Sequence, residues 1–169
     1  MLRPMLMLGA AIALCGLVMA QESKSTNSSI YEFTVKDIDG KDVTLAKYKG
    51  DVLLIVNVAS QCGLTANNFG GQEPGTNAEI KTFCQQHSVT FDLFDKISVK
   101  GKDEAPLYAF LTKHPDKAIA GDVQWNFQKY LIGRDGTVLA KFTPTTYPED
   151  KHITDAIEKA LEAKGATRD

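Results

Sequence analysis

Apolar positions along this chain fall into several distinct patterns. From Met5 to Met19 they run almost unbroken. From Ile30 to Val35 they alternate with polar residues, as in a strand. Asp39-Gly40 then marks a tight turn, and Lys41 to Leu45 supplies the second arm of a hairpin. Val52 to Ala59 is almost entirely apolar and β-branched, which predicts a strand covered on both faces. Thr76-Asn-Ala-Glu79 has the form of a capping box and predicts a helix to about Gln86. Val89 to Ile97 reads as extended. Leu107, Phe110 and Leu111 lie at helical spacing between Ala105 and His114, with Pro115 as the stop. Lys129 to Gly133 and Thr137 to Phe142 flank Arg134-Asp-Gly136, a second hairpin. Ile153, Ala156, Ile157, Ala160 and Leu161 form one face of a closing helix within Pro148 to Lys164. Together these elements predict one small α/β or α+β domain.

The first apolar run is not part of that domain. Met1-Leu-Arg3-Pro supplies a positive charge, and Val18-Met-Ala20 places small residues where a signal peptidase reads. Residues 1–20 are therefore expected to be a secretory signal peptide, and the run is short for a bilayer span. Leu14 is too bulky for Cys15 to be a lipidation site, and Arg3 alone is a poor mitochondrial presequence. Residues 21–29 are polar and rich in Ser, as in a flexible tail, and Asn27-Ser-Ser29 is a glycosylation sequon. The folded domain is expected over residues 30–166, in a secreted or other extracytoplasmic protein. A chain of 169 residues suits one domain with a modest core. A net charge of −2 without any Lys/Arg block gives no reason to expect a nucleic-acid partner.

Without the leader, two cysteines remain, Cys62 and Cys84. In an oxidising compartment they could form a structural staple or a redox-active pair. Cys62 follows the most apolar strand, in Asn57-Val-Ala-Ser-Gln-Cys62-Gly63, and groups beyond strand carboxyl ends are placed for chemistry. Gln72, Trp125 and Asn126 offer amide and indole N–H groups that can donate to a sulfur anion. Such donors favour the thiolate without acting as a base. This set suits attack on a peroxide O–O bond better than hydrolysis. No His is singled out as a partner for Cys62. His87, His114 and His152 lack the spacing of metal ligands.

Three blocks in order resemble the signature blocks of the glutathione peroxidase family. They are Asn57-Val-Ala-Ser-Gln-Cys62-Gly-Leu-Thr65, Phe69-Gly-Gly-Gln72-Glu-Pro-Gly75 and Trp125-Asn126-Phe-Gln-Lys129. The resemblance runs from about Ile30 to the last helix. It implies a thioredoxin-like sheet flanked by helices, with an N-terminal β-hairpin. It makes Cys62 the peroxidatic residue, with Gln72, Trp125 and Asn126 as the rest of a catalytic tetrad. Cys84 resembles the resolving cysteine of the cysteine-type members, which implies recycling by thioredoxin or glutathione and no bound cofactor. The short stretch between His114 and Trp125 resembles that of the monomeric members.

One feature departs from the family. Cys62 and Gln72 stand only ten positions apart, joined through Ala66-Asn-Asn68. In typical members a helix and a strand lie between them, a crossover of the length a parallel βαβ unit needs. The first crossover helix and the following strand are thus expected to be missing. A helix N-terminus helps hold a thiolate, so its loss predicts a poorer nucleophile at Cys62 and reduced turnover. The competing expectation is a non-catalytic secreted thioredoxin-like variant that binds a partner or senses redox state.

Overall fold

The computed structural model describes residues 29–59 and 74–163. It opens with a 3-10 turn, Ile30–Glu32, where the alternating pattern had suggested strand. Ser29 caps this turn, its Oγ accepting from the Tyr31 amide at 3.2 Å and donating to the Asp135 carbonyl at 3.2 Å. The strand β1 (Thr34–Lys36) pairs antiparallel with β2 (Asp42–Thr44), with Val35 opposite Val43. Asp37 Oδ1 shapes their turn by accepting from the amides of Asp39 and Lys41, both at 2.9 Å. Gly40 follows with φ of 78°, a left-handed conformation that glycine adopts freely.

The main sheet has the order β3-β4-β5, antiparallel throughout, from β3 (Leu53–Val56), β4 (Lys129–Ile132) and β5 (Val138–Phe142). Leu53 stands opposite Ile132 and Ile55 opposite Tyr130, while Leu54 faces Leu131 and Val56 faces Lys129. Period-two alternation therefore sends Leu53, Ile55, Tyr130 and Ile132 to one face. There they join Leu107, Tyr108 and Leu111 of α2 (Pro106–Thr112) in the larger core, which also holds Ile30, Phe33 and Leu45. Leu131 belongs to a smaller core with Phe142 and with Ile153 and Ala160 of α3 (Lys151–Glu162).

The helix α1 (Asn77–Gln86) begins at the capping box read from the sequence. Thr76 Oγ1 accepts from the Glu79 amide at 3.4 Å, and the Glu79 carboxylate accepts from the Thr76 amide at 2.7 Å. These bonds satisfy donors that would otherwise be orphaned at the helix start, and they hold the Glu79 carboxyl below its usual range.

Within Val89 to Ile97, read from the sequence as extended, a single antiparallel bridge joins Phe94 to Asp37. The strand read as Val52 to Ala59 is limited to Leu53–Val56 and is not covered on both faces. Leu54 is 37% exposed and Val58 42% exposed. The reason is position: among the described residues β3 lies at the margin of its sheet, with no strand pairing along its outer side. No described helix is long and apolar enough to cross a membrane.

A candidate active site at the end of β3

β3 ends beside the start of β4, because Val56 pairs with Lys129. The turn that delivers the chain into β4 carries Trp125 and Asn126, so it meets Asn57 as that residue leaves β3. Asn57 Nδ2 donates to the Trp125 carbonyl at 3.1 Å, and the Phe127 amide donates to the Asn57 carbonyl at 2.7 Å. Asn126, between these two anchored neighbours, is fully buried. Trp125 is 43% exposed, which leaves much of its indole facing outward. Phe127 adopts a φ of 58°, a left-handed conformation that costs a non-glycine residue energy and persists only where the surroundings hold it.

The next two residues lock the turn from below. Gln128 is buried, its Nε2 donating to the Phe142 carbonyl at 2.5 Å and its Oε1 accepting from the Gln124 amide at 3.5 Å. Lys129 is also buried, and its Nζ donates to the Pro144 carbonyl at 3.2 Å. Burial pushes the Lys129 ammonium below its ordinary range. Tyr130, next along β4, is pushed up to about 12 by burial, with the Glu104 and Asp122 carboxylates adding to the effect. A phenol so far above neutrality is no base at physiological pH. The neighbourhood thus offers neutral donors and one buried cation.

Cys84 sits in the last turn of α1, half-buried. It lines a groove of about 300 Å³ with Asp37, Asp39, Lys47, Lys81 and Phe91 among its other walls. Charges at this groove are matched. Lys81 Nζ lies 2.6 Å from Asp39 Oδ1, and Lys47 Nζ lies 3.0 Å from Asp92 Oδ2. The Tyr48 hydroxyl, followed by Lys47, holds the Asp92 carboxyl below its usual range. Neither Trp125 nor Asn126 is among the described residues of this wall.

The fold therefore brings Trp125 and Asn126 to the end of β3, the strand that precedes Cys62 in the sequence. Cys62 and Gln72 themselves lie outside the described residues, as does any pairing of Cys62 with Cys84. Two of the histidines have structural contacts: His87 packs on Phe83 with ring centroids 4.4 Å apart, and His114 Nδ1 accepts from the Asp116 amide. Asn57 belongs to the first motif block without being one of its expected donors; its signal in the sequence is an amide in an otherwise apolar run.

Comparison with known proteins accords with this geometry. The family profile described as Glutathione peroxidase matches in two pieces, residues 30–68 and 64–112, which meet between Cys62 and Gln72. The phospholipid hydroperoxide glutathione peroxidase 1, chloroplastic, of Arabidopsis thaliana is 41% identical over 169 aligned positions, covering 85% of this chain and 71% of the relative. The aligned length equals the whole chain while only part of the chain is used, so the alignment carries gaps on this side. The crystal structure of Trgpx in apo form superposes with a TM-score of 0.62 at 34% identity, over 83% of this chain and all of that one. A thioredoxin-like superfamily protein, SPOA0173, superposes with a TM-score of 0.56 at 12% identity, over 82% of this chain and all of that one, a likeness of fold alone. The fold is thioredoxin-like, and with this identity across most of its length the chain belongs to the glutathione peroxidase family.

Proposed function

We propose that this chain reduces hydrogen peroxide or organic hydroperoxides at Cys62, with Gln72, Trp125 and Asn126 holding the sulfur as an anion. The thiolate attacks one peroxide oxygen, an S–O bond forms and the O–O bond breaks. The departing alkoxide or hydroxide takes a proton, and the sulfur is left as a sulfenic acid, oxidised by two electrons. The Cys84 thiol then condenses with it, giving a disulfide and releasing water. Two electrons from an external thiol donor, glutathione or thioredoxin, restore both thiols. No bound cofactor enters the cycle.

The observation that carries this reading is the bond between Asn57 and the Trp125 carbonyl. It joins the strand leading to Cys62 with the turn bearing two of the proposed donors. The family assignment supports the same chemistry. Residues 1–20 support export as the route to the site of action, and the domain over residues 30–166 is proposed to work as a monomer.

The test is hydroperoxide consumption by the purified chain with glutathione or thioredoxin as donor. Cys62→Ser should abolish it. After one equivalent of peroxide the intact mass should fall by two hydrogens, and neither Cys62→Ser nor Cys84→Ser should show that loss. Stepwise gain of oxygen at Cys62 alone would remove Cys84 from the cycle. Undiminished consumption by Cys62→Ser would end the proposal.

A further inference from the structure

We infer that Asn57 is a positioning residue that sets the Trp125–Asn126 pair, and through that pair the reactivity of the Cys62 thiol. What the pair does there rests on the peroxidase reading above; how it is held does not. Asn57 is 7% exposed, within a run that is otherwise apolar from Val52 to Ala59. Its side chain and its backbone grip the two residues flanking Asn126, at the Trp125 carbonyl and the Phe127 amide. With both neighbours tied to the same residue, the backbone around Asn126 has little freedom to rotate. The same grip helps hold Phe127 at its left-handed φ of 58°.

An amide at this place is not explained by core stability. Its Oδ1 is buried and has no hydrogen-bond partner among the described residues. A buried acceptor without a donor is destabilising, and an apolar side chain would fill the strand end at lower cost. What an apolar side chain would lack is the Nδ2 donor that reaches Trp125. Local choices that oppose stability are expected where a site must be held in place. Donors stabilise a sulfur anion only within hydrogen-bond reach, so a small displacement of the turn would weaken them at once.

The test uses the full chain carrying Asn57→Ala, which removes the Nδ2 donor and leaves the Phe127 amide its carbonyl partner. Iodoacetamide labelling of the reduced protein across pH, read by peptide mass mapping, follows Cys62 and Cys84 separately. The Cys62 profile should move up by about one pH unit. Its reaction with hydroperoxide at neutral pH should slow about tenfold. The Cys84 profile should stay where it is. In a Trp125→Phe/Asn126→Ala background, Asn57→Ala should add no further shift, because the groups it positions are gone. A stationary Cys62 profile, a shift that persists in that background, or an equal change at Cys84 would each overturn the inference and leave Asn57 as packing. If Asn57→Ala does not fold, Asn57→Ser takes its place, since its hydroxyl is too short to span to Trp125. The two readings fail separately. A wild-type chain without turnover whose Cys62 profile still answers to Asn57 keeps this inference and removes the peroxidase. Turnover with a profile indifferent to Asn57 does the reverse.

Discussion

β3 and β4 are neighbouring antiparallel strands of the same length, yet they live in different surroundings. β3 reads Leu-Leu-Ile-Val and β4 reads Lys-Tyr-Leu-Ile, so β3 is the more apolar. All four residues of β4 are buried, whereas none in β3 is and Leu54 is exposed. β4 has a strand on each side, α2 packed against one face and α3 against the other. β3 has a described strand on one side only. Burial here follows position in the sheet and not the hydrophobicity of the strand. That matters for function, because β3 is the strand that runs towards Cys62 and β4 is the strand that anchors Trp125 and Asn126.

The largest effect is expected on β4. Leu131→Ala should destabilise the chain by about 2–5 kcal/mol in a denaturant titration, since it opens a cavity in a packed site. A smaller loss is expected from Gly136→Ala in the β4–β5 turn. Gly136 has φ of 81°, and a Cβ there would collide with Ser29 Oγ and meet the Tyr31 ring at 2.8 Å. The backbone conformation alone predicts about 1–3 kcal/mol, read as a shift in the same titration. On β3, Leu54→Ala should cost only about 1 kcal/mol, because an open site leaves no cavity behind. Equal losses for Leu54→Ala and Leu131→Ala would mean that β3 is covered in solution. Leu54→Lys should cost no more than Leu54→Ala in the same titration, because the long side chain can carry its charged end into water from an exposed position.

The smallest effect concerns acid. Lys81 holds the Asp39 carboxyl below 3.8, and Tyr48 with Lys47 does the same for Asp92. A carboxyl with a lowered folded-state pKa binds its proton more readily in the unfolded chain. Its contribution is therefore complete above 3.8 and is lost as the pH falls through the lower folded value. Both pairs lie in exposed positions, so the contribution is small. Denaturation midpoints should fall slightly further in acid for wild type than for Asp39→Asn, and the sheet strands should be indifferent to this change.

Elements whose signals are local can be read from adjacent residues alone. The capping box at Thr76 and Glu79 and the Arg134-Asp-Gly136 turn depend on a few adjacent residues, and both stand where the pattern put them. The motif blocks likewise pointed to Cys62, Gln72, Trp125, Asn126 and Cys84, because residue identity is what a motif records. Alternation misread the turn at Ile30–Glu32, where Ser29 caps the backbone and favours a 3-10 geometry. That the most apolar strand is half-exposed follows from the assembled sheet, since burial depends on what lies beside a strand. The tertiary structure alone shows that Asn57 meets Trp125 and Phe127, a contact between positions nearly seventy residues apart that no local pattern can express.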